Sequence, residues 1–262
     1  ATNMDEIADV LVEDNKVVAI EKEITTEADK VIDATDKFVM PGFIDLHVHS
    51  TESDGTFTPE EVIVEAKRVG LSALALTDHD TASGIKKAIP IAKQEGIELI
   101  PGIELSTSYR DKEIHIVGLY IDTENEALLQ KTAAFRSCRD NRNEEMVAAL
   151  QKEGFQITME ALYAENPDCV VTRANIARFL YNHGMIKSVQ EAFDKYIGDG
   201  CKCYINRFKV SPTDATALIK EAGGVAILAH PLLYRMNTNQ LQVLIDELKE
   251  AGLDGIEAIY ST

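Results

Sequence analysis

Apolar runs of strand length that stop on a histidine or a carboxylate recur along this chain, and they constrain its fold more than any other feature. Phe43-Ile-Asp-Leu-His-Val-His-Ser50 carries His47 and His49 at i and i+2. Leu71–Asp80 reaches His79, Ile97–Glu104 ends on Glu104, His115 lies in a fourth run, and Gly223–Pro231 reaches His230. Strand side chains alternate between faces, so the i, i+2 pair points both rings the same way and leaves them free to share one divalent cation at the strand's C-terminal mouth. Five of the six histidines fall on strands or strand ends, which predicts a metal site on a barrel rim.

Helical patterns separate those runs, the signature of βα units and a parallel sheet. Thr58-Pro59-Glu60-Glu61 offers an N-cap, a proline at the first helical position and a capping-box glutamate, with Gly70 as a stop, predicting a helix over about 59–69. Ala82–Glu95 reads as a second helix ended by Gly96, with Pro90 as a kink. After a strand at Glu113–Ile121 the alternation stops. Residues 124–204 then read as helices only: a long amphipathic one to Lys152, Thr172–Asn182 capped by Thr172, and Ser188–Tyr196. The βα pattern resumes with a helix from Ser211-Pro212 to Glu221, the strand reaching His230, a helix near 239–250 and a strand at Asp254–Tyr260. Residues 1–42 differ, since Ala8–Ile20 is two short apolar runs split by Asp14-Asn15, a hairpin signal. The expected organisation is an N-terminal β appendage at 1–42, a first barrel part at 43–123, an inserted helical subdomain at 124–204 and a second barrel part at 205–262.

Composition narrows the function classes. With 262 residues and 45% hydrophobic content the chain can bury a large core. No apolar run approaches the roughly 20 residues that span a bilayer, and the N-terminus lacks the basic-then-apolar order of a signal peptide. Four cysteines, Cys138, Cys169, Cys201 and Cys203, do not make a disulfide framework in a chain this long, so a reduced cytoplasmic setting is expected. The net charge of −18 opposes broad adhesion to duplex nucleic acid or anionic membrane, so an anionic substrate depends on local metals and a few arginines.

The segments DLHVHSTESDGT, ALTDHDT, PGIELS, IHIVGL and GGVAILAHP, in that order, resemble the polymerase-and-histidinol-phosphatase (PHP) superfamily. The likeness covers Phe43 to Tyr260 and is greatest to bacterial nucleotide phosphoesterases, the AMP and 3′,5′-nucleotide phosphatases and the exonucleases that trim RNA 5′ ends. It implies an α/β fold, a distorted (β/α)7-type barrel, of which this chain shows six strands and is short of the last. The segment VIDATDKFVMPGFIDLHVH and the residues before it are similar instead to the N-terminal β-segment of amidohydrolases such as dihydroorotases.

By motif, the resemblance gives a first metal His47, His49 and Glu104, a second Glu104, His115 and His230, and a third Asp54 and His79. Glu104 takes the bridging position, and His79 is a candidate proton donor to the leaving oxygen. The cofactors implied are two or three divalent ions, with mixed histidine and carboxylate ligation suiting Mn, Fe or Zn better than Mg. Arg142, Arg173 and Arg178 are candidate phosphate clamps, because a guanidinium fork matches phosphate oxygens in a bidentate way. Arg173-Ala-Asn-Ile-Ala-Arg178 departs from the family's Arg-x-His-Ile-Ala-Arg at Asn175. Asp45, Asp78 and Asp80 are expected to orient a ring or cap a loop, with a solvated loop carboxylate the other reading of Asp80, and His183 to end a helix beside Gly184.

The family also carries a later Gly-Ser-Asp-x-His stretch, and nothing after Glu257 supplies it, which leaves seven of nine expected ligands. A shorter chain than the natural protein, replacement by water or another residue, and impaired catalysis are the three readings of that absence. The activity implied is metal-assisted hydrolysis of a nucleotide or nucleoside 3′,5′-bisphosphate monoester, or trimming of short oligonucleotides. A cyclic-amide hydrolase and a non-catalytic PHP scaffold are the alternatives. The first normally needs a bridging lysine at a strand end, and no strand run here ends in one.

Overall fold

The computed structural model describes residues 7–260 except Asn15, Phe38, Met40, Pro41, Asp111, Asp168, 206–209 and Ile259. It divides into two compact units, Ala1–Gly42 and Phe43–Thr262. In the first, β1 (Asp9–Glu13) and β2 (Lys16–Glu21) form an antiparallel hairpin, and Asp14 takes the left-handed conformation (φ +48°) that a tight reversal requires. Among its described residues no strand follows at 31–42.

The second unit is built on one curled sheet. β3 (Ile44–Val48), β4 (Ala73–Leu76), β5 (Glu98–Tyr109), β6 (Lys112–Leu119), β7 (Val225–Leu228) and β8 (Gly255–Ile256) lie side by side in that order. Six strands match the sequence expectation, yet the sheet is not wholly parallel. β6 runs antiparallel to both β5 and β7. Only residues 110–111 separate β5 from β6, and so short a connection can join antiparallel neighbours alone. The last strand is also shorter than the expected 254–260, pairing only at Gly255 and Ile256.

Helices cover the sheet as the capping signals require. α1 (Pro59–Val69) has the full Thr58/Glu61 capping box and Gly70 in the left-handed conformation at its end. α2 (Ser83–Glu95) contains Pro90 in its third turn. Val62, Ile63, Ile85 and Ala88 from these helices pack on Leu74 and Leu76 of β4. α7 (Pro212–Glu221) and α8 (Thr238–Glu250) bring Ile219, Leu244 and Leu248 against Ile103, Leu105, Ile114 and Ile116 of the β5–β6 hairpin. Because residues alternate along a strand, burying Ile103 and Leu105 turns Glu104 and Ser106 to the opposite face.

Between β6 and α7 lie α3 (Glu126–Lys152), α4 (Met159–Glu165), α5 (Arg173–Asn182) and α6 (Val189–Ala192), the last continuing as a π-turn over Phe193–Ile197. Met146, Leu150, Leu162, Ile176, Leu180 and Ile197 form a core of their own there. α4 was not legible in the sequence; its seven residues are too few to show a helical period. No helix of the described residues is long and apolar enough to cross a membrane.

Candidate metal centre

The strand mouth gathers the seven candidate ligands around one carboxylate. Glu104 is 1% exposed, and its two oxygens serve different histidines. Oε2 lies 3.3 Å from His47 Nε2, 3.1 Å from His49 Nε2 and 3.1 Å from His79 Nδ1. Oε1 lies 2.9 Å from His115 Nδ1 and 3.1 Å from His230 Nε2. Asp54 closes the Oε2 side, with its oxygens 3.4 Å from His49 Nδ1 and 3.5 Å from His79 Nε2.

Local sequence sets these positions. His47 in β3 and His49 just past its end turn both rings towards Glu104, as their spacing predicts. The turn that returns Asp54 over His49 needs Gly55, because a Cβ there would stand 2.4 Å from the His49 carbonyl oxygen. Asp78 fastens that turn: Oδ1 accepts from the Ser50 N–H (2.8 Å) and the Ser53 hydroxyl (2.7 Å), and Oδ2 accepts from the Ser50 hydroxyl (2.7 Å). Asp45 accepts from the His47 N–H at 3.2 Å. Asp80 is fully buried, paired with the buried Arg139 and accepting the Ser106 N–H at 3.0 Å, so it is a packed ion-pair partner and not a solvated loop carboxylate. His183 ends α5, its Nδ1 2.9 Å from the Phe179 carbonyl.

Electrostatics favour an anionic carboxylate among basic rings. Burial opposes ionisation of Glu104, yet the ring of histidines around it outweighs that cost and holds it well below the ordinary carboxylate range. Burial likewise disfavours charge on His47, but hydrogen bonds to Glu104 and Glu257 outweigh it and raise His47 to about 10. His115 rises to about 9 against the same burial through Glu104 and Glu113. His79 falls to about 3 because burial dominates there, so its ring is neutral at pH 7.

The donor set fits divalent cations. Three groups, His47/His49/Glu104, His49/Asp54/His79 and His79/Glu104/His115, each present ligand atoms within 4.8 Å of one another. His115 Nδ1 and His230 Nε2 also face each other at 3.3 Å across Glu104 Oε1. Around a tetrahedral cation with bonds of about 2.0–2.1 Å, neighbouring ligand atoms stand roughly 3.3 Å apart.

Two residues absent from the sequence reading join the centre. Glu257, one residue past β8, puts Oε1 2.7 Å from His47 Nδ1. Glu113 puts Oε1 3.2 Å from His115 Nε2 and Oε2 2.8 Å from Arg173. The available signals were a glutamate at the end of the last strand and another two residues before His115, on the same face of β6. Arg173 and Arg142 act on Glu113, and Arg178 meets Asp54. Arg173 also pairs with Asp199 at 3.0 Å, Arg178 donates to the Asp54 carbonyl at 2.9 Å, and the buried Arg142 adds its charge to the field that depresses Glu113. Asn175 accepts from the Thr172 N–H in the α5 capping box. A cavity of about 450 Å³, lined among others by Glu52, Ser83, Leu128, Arg136 and Cys169, includes none of the candidate ligands.

A curled sheet whose mouth carries five imidazoles around a buried glutamate defines the class of metal-dependent hydrolase barrels. Within that class the chain belongs to the PHP domain family, whose model matches residues 45–251. It is 38% identical over 213 residues to a 5′-3′ exoribonuclease of Haemophilus influenzae, covering 81% of this chain and 77% of that one. It is 37% identical over 216 residues to a 3′,5′-nucleoside bisphosphate phosphatase of Chromobacterium violaceum, covering 82% and 75%. Among solved structures, an amidohydrolase from Chromobacterium violaceum with bound sulfate superimposes with a TM-score of 0.77 at 37% identity, over 81% of this chain and 75% of that one.

Proposed function

We propose that this protein is a metal-dependent phosphoesterase that hydrolyses the phosphate ester of a nucleotide or nucleoside 3′,5′-bisphosphate, or trims short oligonucleotides. The observation that carries the reading is the division of Glu104 between two sets of imidazoles, His47, His49 and His79 on Oε2 and His115 and His230 on Oε1. Relatives named as a bisphosphate phosphatase and an exoribonuclease support the substrate class.

His47, His49 and Glu104 would hold one cation, Glu104, His115 and His230 a second, and Asp54 and His79 a third, as Mn, Fe or Zn. Such ions, when bound, activate water and neutralise phosphoryl oxygens. The protein's own groups fix the rest. Glu104, kept anionic, sets the spacing of the two sides. His79, neutral and buried, suits a ligand better than a proton donor. Arg178, which donates to the Asp54 carbonyl, would meet a phosphate there, whereas Arg142 and Arg173 would act on the site through Glu113. The four cysteines, free and unbridged, are in keeping with a cytoplasmic setting.

The test is phosphate release from AMP and from nucleoside 3′,5′-bisphosphates, and mononucleotide release from a short 5′-phosphorylated RNA, by Mn²⁺-loaded protein. Turnover of at least one, abolished by chelation, is expected. Failure on all three overturns the proposal.

A further inference from the structure

The geometry points to Glu257 as a positioning residue that fixes two metal-binding histidines from opposite ends of the sheet at once. This rests on the metal centre proposed above. β3 and β8 are the two outermost strands in the sheet order, yet the curl brings them together at the mouth. Glu257 follows β8 directly, and its N–H donates to the Leu228 carbonyl at 3.0 Å, which fixes the backbone beside β7. From there Oε1 reaches His47 Nδ1 on β3 at 2.7 Å, and Oε2 accepts the His230 N–H at 2.7 Å.

Both contacts restrict geometry. With Nδ1–H committed to Glu257, Nε2 on the Glu104 side is the nitrogen left to give up its proton to an incoming cation, the tautomer a ligand needs. His230 has φ +27° and ψ +57°, a left-handed conformation that is strained for a non-glycine residue and persists only where its surroundings hold it. The hydrogen bond to Oε2 holds the N–H of that residue. With the proton on His47 Nδ1, both groups facing Glu257 are donors, and only a carboxylate satisfies them together. A glutamine at 257 has one acceptor oxygen and an amide that can only donate, so one of the two contacts is lost.

The experiment uses Zn²⁺ titration by calorimetry, with ¹⁵N-histidine NMR of the zinc-loaded protein. Wild type is expected to show His47 as the Nδ1–H tautomer. E257Q is expected to bind Zn²⁺ roughly 10- to 100-fold more weakly at the His47 site with its far-ultraviolet spectrum unchanged, and E257D to recover part of that loss. Wild type that binds no Zn²⁺ sinks the metal centre and this proposal together. Wild type that binds while E257Q binds equally well overturns this proposal alone. Should E257Q fail to fold, the wild-type measurement still decides, because a His47 carrying its proton on Nε2, or anomalous density placing Glu257 itself against the metal, contradicts a positioning role.

Discussion

The two oxygens of Glu104 face two differently built halves of one centre. On the Oε2 side, His47, His49 and His79 come from the parallel half, beyond or at the C-terminal ends of β3 and β4, where ligand sites of parallel sheets gather. On the Oε1 side, His115 lies near the start of β6, with Ser106 of β5 as its register partner. Because β6 runs the other way, its beginning stands at the same mouth where its neighbours end. Bracing differs too. Asp54 and the Asp78-held turn secure the Oε2 side, while a Glu113–Arg173–Asp199 chain backs His115. The comparison teaches that a hairpin can replace a βα unit in such a sheet without moving a ligand away from the rim, provided the ligand moves to the strand's opposite end.

The largest effect is expected from Glu104→Gln, which removes a charge from both halves with little change in volume. Phosphoesterase kcat/KM should fall at least ~10³-fold, on the order of 4 kcal/mol in transition-state stabilisation, with the fold intact. Full retained activity would show that the halves do not share this carboxylate.

Arg173→Ala probes the Oε1 half alone. Arg173 is 16% exposed and pairs with Glu113, which is held well below its usual range by Arg173 against the cost of burial. Leaving Glu113 without that partner should cost about 3 kcal/mol in chemical denaturation. Occupancy of the His115 and His230 site should fall before that of the His47 and His49 site. Equal loss at both would erase the distinction between the halves.

A smaller effect concerns pH. In the metal-free protein His47 titrates at about 10 and His115 at about 9, both above the ordinary 6.5, so their stabilisation is complete below pH 6.5 and is lost as pH rises through 9 to 10. His79, pushed down to about 3, works in the opposite direction and removes stability below pH 6.5. Melting temperature of the metal-free protein should therefore peak near pH 6.5 and fall towards pH 10, and Zn²⁺ should bind more tightly across that alkaline limb as it displaces the protons. A flat profile would mean that neither half holds a proton in place of metal.

Much of this was legible in the sequence because it was local. The i, i+2 spacing of His47 and His49, the Thr58/Glu61 box and the Gly70 and Gly96 stops depend on backbone periodicity and on capping chemistry within a few residues. The antiparallel course of β6 escaped the βα reading because its cue, a two-residue connection after Tyr109, was outweighed by alternation elsewhere. Glu113 and Glu257 escaped because their roles depend on contacts made in space: Glu257 meets a histidine 210 residues away. The arginines were legible as cations near the site, but their engagement with Glu113 and Asp54 depends on how α3 and α5 pack on the rim.

The central claim is that one glutamate divides the centre into two occupied halves. Anomalous diffraction at the zinc edge on crystals grown with Zn²⁺ tests it most directly. At least two peaks are expected, one against His47 and His49 and another against His115 and His230, each in contact with a different oxygen of Glu104. A single peak, or two peaks of which either fails to touch Glu104, would contradict it.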